Sequence, residues 1–329
     1  MNTNEQIKEY LTIYEQLRKK YRWRVNSTSL MMLAGQLATA EKPFELKHLI
    51  SLNEKIKKES SQFSYIQSAD LRLMLTGLLV SNFDDPKKSF DDMMLVYEKL
   101  IDSGFSRSPH AYIAAYALYV SLDSVSDEEI NEHVARAKSM YSGMKKQHFF
   151  LTSHEDYPLS VLLAEEEGEE EELLDDMAYY YDQLHIVLAK GNNRQFLSQI
   201  LTYGRQDNRQ LLVQNTVTWL DDLKTNKIRL RGNHLPIVGV LALAGTPSAL
   251  LNEVKETYDE LVSIKGFKWH KDLCFMTAVR FVLQKKVQEN NVLDVGLAST
   301  IESILQAQQA AVLAAMSAGA AASASSSNN

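Results

Sequence analysis

The stretch MYSGMKKQHFFLTSHEDYPLSVLLA, Met140 to Ala164, decides how the chain is read. Met140, Tyr141 and Met144 continue an amphipathic helix that runs out at Lys145-Lys146, where cations suit the negative end of the helix dipole. A turn dense in aromatic and ionisable groups follows: His148-Phe149-Phe150, then His154-Glu155-Asp156. Asp156 stands where an N-cap belongs, and Tyr157-Pro158 opens a short apolar helix through Ala164. Taken alone, the turn looks like a site. Set beside the rest of the chain, it is one copy of a recurring unit.

Runs like Leu159–Ala164, apolar and rich in small residues, return at 30–38, 72–80, 112–120, 196–203, 235–243 and 274–282. Their starts lie roughly 40 residues apart, a period that marks repeated helical hairpins. Each run follows an amphipathic segment with a pair of large residues at helical spacing, such as Tyr14/Leu17, Leu52/Ile56, Tyr97/Leu100, Trp219/Leu223 and Tyr258/Leu261. Between the two segments sits a turn with a large apolar group, glycine or asparagine: Trp23, Phe63, Gly104-Phe105, Phe149-Phe150, Gly191-Asn192, Gly232-Asn233 and Gly266-Phe267. One hairpin cannot cover its own apolar face, and neighbours bury it. The pattern therefore predicts an all-α protein, an α-solenoid-like array of about seven stacked antiparallel helical hairpins, over residues 1–305. An Ala/Ser-rich tail, 306–329, reads as a terminal helix fraying into disorder. The aromatic recurring at the turn is expected to plug the space between hairpins. Gly35, Gly77, Ala114 and Gly239 inside the apolar helices are expected to mark close helix–helix approaches.

Local signals agree with these boundaries. Ser89 before Phe90-Asp91-Asp92 and Ser126 before Asp127-Glu128-Glu129 read as helix caps, and Ser108-Pro109 and Thr246-Pro247 pair a cap with a first-turn proline. Pro43 and Pro86 are placed in loops. Glu165–Glu172 reads as a solvated loop leading into the acidic first turn of the next helix.

Composition narrows the function. The chain has 329 residues, 45% of them hydrophobic, with a net charge of −7 and a sequence pI near 5.7. That balance argues against nucleic acid and against anionic membrane as partners. The run Arg18-Lys19-Lys20-Tyr21-Arg22-Trp23-Arg24 could meet phosphate and bases, but it is read as a helix end with Trp23 in the core. Cys274 is the one cysteine and lies in an apolar helix, so it reads as a buried thiol. No run is long and apolar enough to span a bilayer, and the polar N-terminus carries no signal core. A cytoplasmic protein is expected.

No phosphate-binding loop, dinucleotide fingerprint, HExxH, CxxC or GxSxG pattern occurs. No catalytic residue, metal ligand set or cofactor is therefore assigned. The polar and aromatic residues at the turns form a candidate binding rim: His148, His154, Glu155, Asp156, Asn192, Arg194, Asn233, His234, Trp269 and His270. The expected function is a non-enzymatic helical-repeat module that binds a protein or peptide. The alternative is an enzyme or metalloprotein built on the His148–Asp156 turn, since imidazole and carboxylate suit zinc-like ions.

The segments GMKKQHFFLTSHEDYPLSVLLA (143–164), GNNRQFLSQIL (191–201), YEKLIDSGFSRSPHAYIAA (97–115) and LPIVGVLAL (235–243) resemble the domain-of-unknown-function family 4003 of uncharacterised Firmicutes proteins. The resemblance covers nearly the whole chain up to the tail and implies a bacterial protein. It implies no activity, substrate or cofactor, and no role for any residue.

Overall fold

The computed structural model describes residues 3–204, 209–229, 235–288 and residue 304. Among the described residues there are fourteen α-helices and no strand. In chain order a helix buried along one stripe alternates with a more fully buried one. The pairs are α1 (Thr3–Tyr21) with α2 (Ser27–Thr39), α3 (Leu46–Glu59) with α4 (Ala69–Asn82), and α5 (Pro86–Asp102) with α6 (Pro109–Ser121). Then come α7 (Asp127–Gln147) with α8 (Tyr157–Ala164), α9 (Glu170–Gln183) with α10 (Asn192–Thr202), α11 (Arg209–Thr225) with α12 (Pro236–Ala244), and α13 (Pro247–Ser263) with α14 (Lys271–Gln288). The all-α reading holds. No helix among the described residues is long and apolar enough to cross a membrane. The tail at 306–329 lies outside the described residues.

The apolar runs are the buried helices, as their composition requires. Every residue of α2 from Ser29 to Thr39 is buried, as is every residue of α12. The first helices of the pairs bury one stripe only; α5 buries Phe90, Met93, Val96, Tyr97 and Leu100 and leaves its other face wet.

The chain forms two compact units. One takes in residues 8–141 and 153–162. In it α3 packs on α4 and α5 on α6, and α4 also meets α2, α5 and α6. The Tyr97 and Tyr112 rings stack 4.1 Å apart across the α5–α6 pair. Arg72 of α4 is buried, and it donates to Asn53 Oδ1 at 3.0 Å and to the carbonyls of Ile66 and Gln67, holding the turn that precedes its own helix. Asp70 accepts from the Asn26 backbone N–H at 3.2 Å, the Asn26 amide and the Ser29 hydroxyl, so α4 secures the start of α2.

The other unit takes in 3–7, 142–152 and the described residues between 163 and 305. Here α9 packs on α10, α11 on α12 and α13 on α14, while α10 meets α12, α12 meets α14, and α11 meets both α9 and α13. A Cβ placed on Gly239 of α12 would sit 2.8 Å from both Ile200 Cγ2 and Leu197 Cδ1 of α10. In the first unit, a Cβ on Gly77 of α4 would collide with Leu33 Cδ1 of α2. Both glycines are close-approach points, as expected.

Three local expectations are corrected. The recurring turn aromatic is not a general plug: Phe105 and Phe267 are buried, but Trp23 is 86%, Phe63 97% and Phe150 95% exposed. Beside Trp23 and Phe63 a neighbour in the same turn is buried instead, namely Val25 and Ile66. Tyr157 packs edge-on against Phe105 at 4.7 Å and Tyr141 at 4.9 Å. Second, α5 starts at Pro86 rather than after Ser89; Asp85 caps it, accepting from the Lys88 N–H at 3.1 Å, and Pro86 fills the first helical position where no N–H is needed. Third, Asp156 is not an N-cap. It closes a 3-10 turn, His154–Asp156, and accepts from the Ser153 N–H at 2.7 Å, completing a capping box in which Ser153 is the cap.

Candidate functional site

The turn after α7 is made by backbone hydrogen bonds. The Met144 carbonyl accepts from the His148 N–H at 3.0 Å, and the His148 carbonyl accepts from the N–H groups of Leu151 and Thr152 at 3.0 and 2.9 Å. This tight reversal sends neighbouring side chains opposite ways. Phe149 and Phe150 go outward, their rings edge to face at 5.3 Å. His148 goes inward, its ring 4.1 Å from that of Tyr181 on α9. Arg194, in the first turn of α10, lays its guanidinium 4.0 Å from the same Tyr181 ring, a cation–π contact. Gln195 beside it donates to Thr152 Oγ1 at 2.9 Å and ties α10 to the turn.

The electrostatics of this group are unusual. Arg194 is buried, and among the described residues no carboxylate pairs with it; the Tyr181 ring face lies against it instead. His148 Nε2, Arg194 Nε and the Tyr181 hydroxyl are all buried with no hydrogen-bond partner among the described residues. Burial lowers the His148 pKa, the Asp182 carboxylate works against that shift, and the Arg194 and Lys190 cations add to it. The lowered pKa favours the neutral form of the imidazole. As a base it would be competent in charge but not in access, since Nε2 is sealed inside the protein.

The other predicted rim residues divide. His154 is exposed and its ring lies 5.3 Å from Tyr157, while Glu155 donates its N–H to Ser153 Oγ at 3.3 Å; these contacts are local and belong to the unit that holds 153–162. Asp156 is buried in its capping box. Asn192 is exposed as the first residue of α10. Asn233 and His234 lie outside the described residues. Among the described residues, no three His, Cys, Asp or Glu side chains are grouped as metal ligands would be.

Trp269 and His270 stand at the α13–α14 turn. Gly266, at φ +93°, takes a left-handed conformation that glycine adopts without strain, and a 3-10 turn, Phe267–Trp269, follows. Phe267 is buried, and Trp269 is 80% exposed with the Lys268 ammonium 5.1 Å from its ring. The His270 N–H donates to the Phe267 carbonyl at 2.8 Å and its own carbonyl accepts from the Cys274 N–H at 3.0 Å, so this histidine starts α14. Trp269 borders a cleft of about 1190 Å³ that also reaches the end of α11 and Tyr258 of α13.

The sequence reading singled out His148 and Arg194, which the fold brings together, but missed Tyr181, the ring that joins them. Tyr181 and Leu184 have the same helical spacing as the large-residue pairs of the other first helices, and nothing in that spacing marks Tyr181 as a bridge. The cations around Trp269 were also missed, though Lys265-Gly266-Phe267-Lys268-Trp269-His270-Lys271 and Lys224-Thr225-Asn226-Lys227-Ile228-Arg229 show them plainly.

No solved structure matches this chain. The uncharacterised protein YeaA of Bacillus subtilis (strain 168) is 28% identical over 315 residues, covering 95% of this chain and 94% of that protein. Residues 13–310 match the family described as protein of unknown function (DUF4003). That match takes in both histidines of the α7–α8 turn, Tyr181, Arg194 and the Trp269 cleft, and the chain is a member of that family.

Proposed function

We propose that the chain is a non-enzymatic binding module whose partner is a protein or peptide, engaged through the aromatic side chains at its hairpin turns. One observation carries this reading. Trp23, Phe63, Phe150 and Trp269, at the turns of four different helix pairs, stand in solvent although each turn has a buried apolar residue beside it. A ring of this size gains about 1.5–3 kcal/mol when buried, and a sequence that repeatedly forgoes this gain at one kind of position keeps it for an interface. Aromatic residues and arginine dominate the energetics of such interfaces. Three of these turns also place a cation on an exposed ring: Arg22 at Trp23 (5.0 Å), Lys145 at Phe149 (5.7 Å) and Lys268 at Trp269 (5.1 Å). A cytoplasmic setting goes with this reading and rests on the single cysteine, Cys274, held as a buried thiol.

The test is affinity capture from cells that make the protein, with wild type and a Phe149→Ser/Phe150→Ser variant as baits. A partner held by the first and lost by the second, at equal melting temperature, is the expected result. Identical captured sets from both baits would refute the role given to these rings.

A further inference from the structure

We infer that the cleft beside Trp269 receives an acidic segment of the partner that carries apolar side chains. The inference rests on the binding-module reading and names the chemistry of what is bound. Five cations, Lys224, Lys227, Arg229, Lys268 and Lys271, line the cleft against one carboxylate, Asp272. On a chain with a net charge of −7, that local excess is opposite to the whole. The five are exposed, and none of them forms an ion pair with another described residue. The bottom of the cleft is different: Leu223, Ile228 and Tyr258 line it and are buried. At one edge stands Trp269, 80% exposed.

The α11 terminus contributes a second sign of purpose. Lys227 has φ 61°, the one non-glycine residue with positive φ among the described residues. The turn it makes lets the Ile228 N–H reach the Leu223 carbonyl at 2.9 Å, sinking Ile228 into the floor and leaving Lys227 and Arg229 outside. Glycine or asparagine would take this conformation with less strain. A lysine here keeps a charge at the mouth.

The arrangement selects among anions. The cations are spread over two chain segments around an apolar floor, so they do not converge as a single phosphate would need. A nucleic acid strand would bring phosphates but no aliphatic groups for Leu223 and Ile228, and it would find one exposed ring to stack on. An acidic peptide with leucine or phenylalanine between its carboxylates matches both layers: apolar groups on the floor and against Trp269, carboxylates at the lysine rim.

The probe is a short fluorescein-labelled peptide in which pairs of glutamates alternate with leucine and phenylalanine, titrated with the full chain and read by anisotropy. Binding is expected, weakening as salt rises. Affinity should fall about tenfold or more in Lys224→Glu/Lys271→Glu, a loss of about 1.4 kcal/mol per tenfold. Both sites are exposed, so the variant should keep the wild-type melting temperature. Emission from Trp269 should shift on binding, read in a Trp23→Phe background because Trp219 is buried. Equal binding by the charge-reversed variant would overturn the proposal. So would equal binding of a peptide with glutamine in place of glutamate, or tighter binding of a single-stranded oligonucleotide that displaces the peptide. A dimer that dissolves on the same charge reversal would assign the cleft to the acidic run at 165–172 of a second copy, and would also overturn it. Should the charge-reversed chain still capture the partner that the Phe149/Phe150 variant loses, this inference fails and the binding module stands. Should the peptide bind while no partner depends on the turn aromatics, the reverse holds.

Discussion

Replacing Gly239 by alanine should destabilise the protein although alanine is the better helix former. Gly239 lies inside α12, where exchanging glycine for alanine gains about 1 kcal/mol in an open helix. Against that stands the new methyl group. It would sit 2.8 Å from Ile200 Cγ2, 2.8 Å from Leu197 Cδ1 and 3.2 Å from Ile200 Cβ, where carbon atoms in good contact are about 3.5–4.0 Å apart. Ile200 cannot swing clear, because a β-branched side chain in a helix has essentially one rotamer and its Cβ is itself too close. Leu197 and Ile200 are fully buried, so neither has open space behind it. The α10 and α12 backbones must move apart, and overpacking of this kind costs about 1–3 kcal/mol. The clash wins over propensity, leaving a net loss of about 1 kcal/mol and a melting temperature about 2–4 °C lower. Thermal unfolding followed by circular dichroism decides the matter. A Gly239→Ala variant that melts higher than wild type would mean that α10 and α12 are not in close contact there. Gly77→Ala is the companion measurement. The atom it meets is the end of the Leu33 side chain, with Leu33 Cγ at 3.5 Å, so rotation about one bond relieves it. Its cost should be visibly smaller than that of Gly239→Ala.

Other outcomes follow from burial and charge. Phe150→Ala should change stability by less than about 0.5 kcal/mol, while Phe105→Ala, which empties the Tyr141–Tyr157 contact, should cost about 3–5 kcal/mol; urea midpoints that reverse this order would reverse the assignment of which ring is the plug. His148 has its folded pKa held below the ordinary 6.5. The unfolded chain therefore binds the extra proton first, and the histidine's contribution, complete above 6.5, should drain away as pH falls from there toward the folded pKa. Stability measured against pH should lose part of that slope in His148→Phe, and an NMR titration of the native imidazole with a midpoint at or above 6.5 would contradict the burial argument.

The fold was legible where one physical requirement wrote the same pattern many times. Seven apolar runs with small residues, each following a segment of helical periodicity, pointed to buried helices, and Leu30–Ala38 and Pro236–Leu243 are buried at every position. Glycine inside such a run pointed to close contact for the same reason. The turns were not legible in this way. A phenylalanine in a turn can face in or out, and the choice depends on whether a neighbour has taken the core position. Ile66 is buried where Phe63 is exposed, and Phe267 is buried where Trp269 is exposed. The site was half legible. The composition of the turn pointed to His148 and Arg194, but their connection through Tyr181 needs three segments to meet. The Trp269 cleft likewise joins lysines more than 40 residues apart in the chain, from Lys224 to Lys268.

Asp70 links the history of two hairpins. Its carboxylate belongs to α4, yet it accepts hydrogen bonds from the Asn26 N–H, the Asn26 amide and the Ser29 hydroxyl at the head of α2. Asn26 itself caps α2 by accepting from the Ser29 N–H at 2.8 Å. The cap is thus held in place by a residue synthesised 44 positions later. While the chain emerges from the ribosome, the Asn26 cap lacks the support of Asp70 until α4 has been made and has docked. A nascent chain stopped before Asp70 would carry an apolar helix, Leu30 to Ala38, with neither its cap secured nor its neighbour present, which is the form most exposed to aggregation and most in need of a chaperone.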